Sequence, residues 1–167
     1  VEYLFPSALR SFHTFDVIHP PTVLLFLKAP RPGFVKTRLA ATLGEEKACT
    51  VYREIAEKTF KKIPSNWSKT IYFTPTDAEP EMKDWLGDTP SFLPQSEGEL
   101  GHRLLAACEE TFTGGASGVI LLGGDCPCIT EKHLEECATE MASVEHCNRL
   151  PGNTYRSEQQ SFSGPST

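Results

Sequence analysis

No apolar run in this 167-residue sequence approaches the length of a membrane span; TVLLFL and GVILLG are both strand-sized. Positive charge is in deficit, with 16 Lys and Arg against 22 Asp and Glu and a net charge of -6. That balance argues against a general nucleic-acid binder, whose footprint would be basic. The opening VEYLFPSALRSFHTFDVIHPP lacks both the basic start and the continuous apolar centre of a signal peptide. Residues 1–21 therefore read as an irregular extension ending at Pro20 and Pro21. The sequence opens on Val1, so a fragment or a processed chain is expected. Internal repeats are absent. Regular cysteine spacing is absent too, although there are 6 cysteines. A chain of this length with 39% hydrophobic residues can bury one ordinary core without disulfide staples. Free thiols in a reducing compartment, cytoplasmic or organellar, are therefore expected.

Along the chain, the apolar pattern alternates between two periods. Val23–Leu27 is a continuous apolar run, as in a strand covered on both faces. From Glu45, residues Ala48, Val51, Tyr52, Ile55, Ala56, Thr59, Phe60 and Ile63 recur at three and four and make one helix face, between Gly44 and Pro64. Thr70–Thr74 reads as a strand and Glu79–Leu86 as a short helix, with Pro80 early and Gly87 closing it. Ser91–Gln95 reads as a short strand that Pro94 holds at an end or edge. Leu100, Leu104, Ala107, Cys108 and Phe112 form another helix face, closed by Gly114 and Gly115. GVILLGGDCP begins as a second buried strand, central in the sheet, and breaks at its paired glycines. Thr130 is the expected N-cap of a last helix with Leu134, Cys137, Ala138 and Met141 on its inner face. The alternation predicts an α/β fold, a mostly parallel sheet with helices on both faces. Residues 22–142 are expected to form that domain, and the polar stretch 143–167 a disordered tail.

In such a sheet, ligands bind beyond the carboxyl ends of the strands. Two loops leave those ends with complementary chemistry. APRPGFVKTRL after the first strand carries cations and a glycine, which suit phosphate oxygens. Pro30 and Pro32 stiffen it, and Lys36 and Arg38 fall near the start of the following helix, where the dipole favours an anion. Lys36-Thr37 resembles the end of a Walker A loop, but the earlier glycine is missing, and a basic surface turn is the bland alternative. GGDCP places Asp125 where the second apolar strand leaves the sheet, suited to a hard cation bridging phosphates or, more simply, to stabilising its own turn. Cys126, Cys128, His133 and Cys137 offer a rival zinc set, without the paired Cys-x-x-Cys spacing; buried thiols are the alternative. QSEGELGHRL is a polar loop entering a helix, with His102 and Arg103 in reach of a ligand.

Taken in order, LLFLKAPRPGFVKTRL, QSEGELGHRL and VILLGGDCPCIT resemble the glycosyltransferase-like family that includes the enzymes assigned to arsenosugar biosynthesis. The sequence is similar more distantly to phospholactate guanylyltransferase and the molybdenum-cofactor guanylyltransferase. The match covers about Thr22 to Met141. It implies a GT-A, nucleotide-diphospho-sugar transferase fold. It also implies that Lys28, Arg31, Gly33, Lys36 and Arg38 line the phosphate site, and that Gln95, Gly101 and Arg103 lie near the nucleotide or acceptor. Asp125 would be the carboxylate for Mg2+ or Mn2+. Family members continue into a block resembling GPAxDGGYYLIGL, and nothing after Ser143 matches it, so a C-terminally truncated fold is expected. The expected activity is a nucleotide-sugar-dependent glycosyltransferase or related nucleotidyltransferase, with a nucleotide or nucleotide-sugar and a small-molecule acceptor as partners, and no catalytic base evident. The alternative is an inactive truncated domain that binds a nucleotide or a protein partner.

Overall fold

The computed structural model describes residues 20–149. The expected extension over 1–21 lies outside it except for its last two residues. Among the described residues, nine elements follow one another as β1 (Thr22–Lys28), α1 (Thr37–Leu43), α2 (Glu45–Phe60), β2 (Lys69–Thr74), α3 (Glu79–Leu86), β3 (Ser91–Pro94), α4 (Leu100–Thr113), β4 (Val119–Gly123) and α5 (Glu131–Arg149). The strands form one parallel sheet in the order β3-β2-β1-β4, with Leu25 paired in register to Ile71 on one side and Leu122 on the other.

Strand alternation divides the side chains between two faces. Val23, Leu25, Leu27, Ile71 and Phe73 pack with Ala56 of α2, Met82 of α3 and Leu134 of α5 in the main core. Leu24 and Tyr72 meet Ala107 of α4 on the other face. On α2, Ala48, Tyr52, Ala56 and Thr59 are buried at the predicted spacing, and the Thr59 hydroxyl is satisfied by donating to the Ile55 carbonyl at 3.1 Å. Gly44 at φ 83° breaks α1 from α2, and Gly87 at φ 81° closes α3.

The winding positions the site. From β1 the chain steps outward to β2 and β3, then α4 carries it across the opposite face to β4 on the far side of β1. The direction reverses between β1 and β4, and a crevice opens beyond the carboxyl ends of two strands at such a switch point.

Three expectations change. β4 is not a central strand: among the described residues it pairs only with β1, and Leu121 is 40% exposed. Four strands about 4.8 Å apart make a sheet wider than one helix about 10 Å across, so α4 alone leaves part of its face open. Leu100 and Phe112, at the two ends of the expected α4 face, are exposed as well. Second, α5 is capped at Thr130 as expected but runs on to Arg149, past the boundary expected at 142; residues 150–167 lie outside the described part. Third, Cys137 is exposed rather than on the inner face of α5. No helix among the described residues is long and apolar enough to cross a membrane.

Candidate functional site

The loop after β1 is held by side chains from α2 and α3 and by Asp77 just ahead of α3. As β1 ends, the Lys28 N–H donates to the Tyr52 hydroxyl at 2.8 Å, and that hydroxyl donates to the Lys28 carbonyl at 3.0 Å. A buried tyrosine needs a partner for its O–H, and here it replaces the strand neighbour that β1 is losing. Burial chiefly, with the Asp125 charge adding, pushes Tyr52 up to about 12. Further along, the Cys49 thiol donates to the Pro30 carbonyl at 2.9 Å. The Phe34 N–H closes on the Arg31 carbonyl at 3.1 Å, a tight turn through Gly33 at φ 80°. A Cβ at Gly33 would lie 3.2 Å from the Glu45 carboxylate, so glycine suits both the backbone and the space. Val35 is buried against Cys49 and Tyr52.

Lys36 then caps α1 with φ 50° and ψ 42°, a left-handed conformation that among the described residues no other non-glycine adopts. Such a conformation costs about 1 kcal/mol and clusters at functional sites. From there, the Lys36 ammonium reaches the Asp125 carboxylate, with Nζ 2.8 Å from Oδ2. Asp125 is brought in by Gly124, which packs so closely that an added Cβ would lie 2.5 Å from Leu27 Cδ2 and 3.7 Å from the Tyr52 oxygen. The two loops singled out in the sequence therefore meet at the switch point over Tyr52. The Asp125 side chain is 61% exposed, so the ion pair itself stabilises the fold by about 1 kcal/mol or less.

Gln95 joins a second group to the same strand ends. Its backbone N–H donates to the Phe73 carbonyl at 2.8 Å. Its side-chain amide donates to the Leu27 carbonyl at 3.1 Å and the Tyr72 carbonyl at 3.0 Å, bridging the ends of β1 and β2. Arg103 donates to Gln95 Oε1 at 3.3 Å and to the Gly98 carbonyl at 2.7 Å, so the guanidinium braces the loop before α4. Gly101 is in the exposed first turn of α4, with no atom within 4 Å of where a Cβ would stand.

The remaining expected residues divide. Lys28 is exposed at the end of β1. Arg38 is exposed on α1, without an ion pair among the described residues, and so is available to an anion. Arg31 is already engaged: its Nε lies 2.9 Å from Glu81 and its Nη2 3.2 Å from Asp77. The hydrogen bond to Asp77, with the charge of Glu81, holds its pKa above the ordinary value. Arg31 thus fastens the loop to the start of α3 instead of offering a free cation. Reading the sequence missed Tyr52, Glu45, Asp77 and Glu81. Only Tyr52 left a trace there, as a polar-tipped ring on an otherwise apolar face.

His133 is a cap: its N–H donates to the Thr130 hydroxyl at 3.2 Å, and its Nδ1 accepts the Thr130 N–H at 3.3 Å. Among the described residues, no three His, Cys, Asp or Glu side chains are grouped to hold a metal, so Cys126, Cys128, His133 and Cys137 form no zinc set there. Cys128 and Cys137 are exposed and Cys126 half-buried, not the buried thiols of the other expectation. A hard cation shared with a diphosphate needs only one or two protein carboxylates, the rest coming from phosphate and water oxygens. Asp125, with an ammonium already seated on it, fits that role. A cavity of about 600 Å3 lies at the opposite ends of the strands, against Thr70, Tyr72, Glu110 and Thr111. It has no Lys or Arg in its wall and includes the Glu110 carboxylate, so an anion would not favour it.

The burial of Tyr52 gives a test of its place beneath the two loops. In the unfolded chain the phenol ionises near 10, whereas in the fold it holds its proton to about 12. The folded state therefore binds more protons between those values, and stability is fully present below pH 10 and falls as pH rises toward 12. Tyr52→Phe is expected to flatten part of that fall, the rest being shared by Tyr72, also raised to about 12, and by Cys49 and Lys83, both raised as well. Urea midpoints measured from pH 8 to 11.5 check it; identical slopes for both proteins would contradict it.

The family model described as "Uncharacterized protein conserved in bacteria (DUF2064)" matches residues 60–148, more than half of the chain. Gln95, Gly101, Arg103 and Asp125 fall inside that match, and the loop carrying Lys36 precedes it. Among curated proteins none matches. Among solved structures, a crystal structure of a "putative nucleotide-diphospho-sugar transferase" from Desulfovibrio desulfuricans G20 is 30% identical, with a TM-score of 0.67, over 71% of this chain and 53% of that one. This chain spans about half the length of that relative. The parallel sheet with helices on both faces is of the GT-A type that this relative shares.

Proposed function

The chain belongs to the DUF2064 family, and from that premise we propose that residues 22–142 bind a nucleoside diphosphate, as part of a nucleotide sugar, together with Mg2+ or Mn2+. The activity proposed is glycosyl transfer or closely related nucleotidyl transfer to a small-molecule acceptor. Within that class, the three ordered motifs favour a likeness to the glycosyltransferase-like proteins that include the arsenosugar enzymes. The observation that carries the reading is the 2.8 Å contact of Lys36 with Asp125 at the switch point, a cation suited to phosphate oxygens beside a carboxylate suited to a hard cation. Lys36 and Arg38 would hold the phosphate oxygens with charge-assisted hydrogen bonds. Gln95 and Arg103 would shape the floor beside them. A bound cation would neutralise charge developing on the departing diphosphate. Tyr52 would keep both loops in place while that charge develops.

The test is a thermal-shift screen of nucleoside diphosphate sugars and triphosphates, with and without Mg2+ or Mn2+, because a ligand that binds only the folded state raises the melting midpoint. Lys36→Ala and Arg38→Ala are each expected to weaken nucleotide binding by about 1.5–3 kcal/mol without unfolding the domain, since neither side chain belongs to the core. Calorimetric affinities unchanged in both variants would reduce the loop to a basic surface turn. A second reading, binding without turnover, is favoured by the edge position of β4, which leaves Leu121 40% exposed beside the site-bearing loop. Product formation with a donor that binds decides between the two.

A further inference from the structure

The cavity at the amino ends of the strands is separate from the two loops at their carboxyl ends. We propose that it binds a small organic ammonium ion that also carries hydroxyl groups, an amino sugar being the type. Its floor is the face of β1, β2 and β3 on which α4 lies, and its wall is the end of α4 with residues 114–117. Thr22, Ser68, Thr70 and Ser91 bring hydroxyls to it, and Glu110 brings its one carboxylate. A volume of about 600 Å3 is in the range of small-molecule sites.

The carboxylate is oriented from the sheet. Tyr72, only 3% exposed, donates its hydroxyl proton to Glu110 Oε2 at 2.9 Å, and its ring is stacked on Phe26 with centroids 5.2 Å apart. The packed ring fixes the hydroxyl, and the hydroxyl draws the Glu110 charge to the cavity. α4 has no basic residue in its last turn, so the negative end of its dipole stands at the wall without a cation from its own helix. No Lys, Arg or His lines the cavity. Lys69, between Ser68 and Thr70, turns to the other face of the sheet, with Nζ 5.7 Å from the Phe60 ring centroid. A positive charge is therefore favoured, and the floor hydroxyls can donate to and accept from hydroxyls of a ligand. A bare metal ion suits it poorly, since it is far smaller than the cavity and wants several fixed oxygens. Among the described residues, no three His, Cys, Asp or Glu side chains are grouped to hold one. An apolar amine would take water from the floor hydroxyls without replacing its hydrogen bonds. Glu110 is exposed, so water screens its charge and the preference it confers is about five-fold.

The experiment titrates the full chain with D-glucosamine, D-glucose and ethylammonium, read by the NMR signals of the backbone amides. D-Glucosamine is expected to shift the signals of Thr70, Gly114 and Gly115. It should bind about five-fold more tightly than either of the others, because each lacks one of the two kinds of contact. Glu110→Gln is expected to bring glucosamine down to the level of glucose. Thr70→Val, which keeps the shape and removes a hydroxyl, should weaken both sugars and leave ethylammonium unchanged. Neither residue belongs to the core, and melting midpoints near that of the wild type establish that both variants fold. Equal affinity for glucosamine and glucose overturns the proposal, and so does ethylammonium that binds as tightly as glucosamine. Glucosamine that shifts none of these signals, or that keeps its preference in Glu110→Gln, overturns it as well. Asp125→Asn is expected to bind glucosamine as the wild type does; a loss there would move the amine to the carboxyl-end site and overturn the proposal without touching the phosphate reading.

Discussion

Asp125→Asn is expected to lower affinity for a metal–nucleotide complex by at least about tenfold, the loss that follows when a charged partner of a charged ligand becomes neutral. The substitution keeps the side chain's shape and removes the charge a hard cation needs. Stability should barely change, because Asp125 is 61% exposed and its pair with Lys36 contributes about 1 kcal/mol or less. Cys126→Ser and Cys128→Ser, which change a soft ligand and no carboxylate, should leave that affinity intact. Calorimetric titration of the three variants in Mg2+ and again in EDTA separates the cases. Stoichiometric zinc in the purified protein, lost with the cysteine changes, would overturn the assignment in favour of the rival chemistry.

The second large effect is expected one residue earlier. Gly124→Ala places a Cβ 2.5 Å from Leu27 Cδ2, and Leu27, only 2% exposed, can yield only by shifting within the core. Overpacking of this kind costs about 1–3 kcal/mol. The adjacent Gly123→Ala is the control: nothing lies within 4 Å of its added Cβ, so its change should stay within about 0.5 kcal/mol. Urea unfolding of the pair measures the difference. Equal midpoints would mean that the loop over β1 yields easily, and that Gly124 does not fix the position of Asp125. The steric account also predicts that Gly124→Ala weakens metal–nucleotide binding, through displacement of the carboxylate, while the distant Gly87→Ala does not.

The elements were legible because each is written in local chemistry. Val23–Leu27 is apolar without interruption, α2 repeats at three and four, and Gly44, Gly87 and Pro94 punctuate where the chain turns or meets an edge. Parallel pairing followed from the alternation of those elements. The place of β4 did not, because VILLG reads the same in the middle of a sheet as at its margin, and only the neighbours decide. The two site loops were legible by residue type, and their meeting followed from the switch point. Partner choice within the site was not legible. Arg31 carries the same charge as Lys36, yet Asp77 and Glu81, 46 and 50 residues away in sequence, claim it. Tyr52 was counted among apolar residues because its ring behaves as one, while its hydroxyl holds the Lys28 backbone and lies close to Gly124. Cys137 fell at an inner-face spacing on α5, yet it is exposed, while Leu134 before it is buried and Met141 after it lies beside Gly118.

The central claim is that one ligand bridges Lys36 and Asp125 at the carboxyl ends of β1 and β4. The most direct measurement is a crystal structure of the chain with Mn2+ and a nucleoside diphosphate that the thermal-shift screen identifies, with the manganese located by its anomalous scattering. The account predicts a manganese peak within coordination distance of Asp125, about 2.0–2.3 Å, and the Lys36 ammonium moved from the carboxylate onto a phosphate oxygen. Manganese elsewhere, or a nucleotide bound with the Lys36–Asp125 contact still closed, would contradict it.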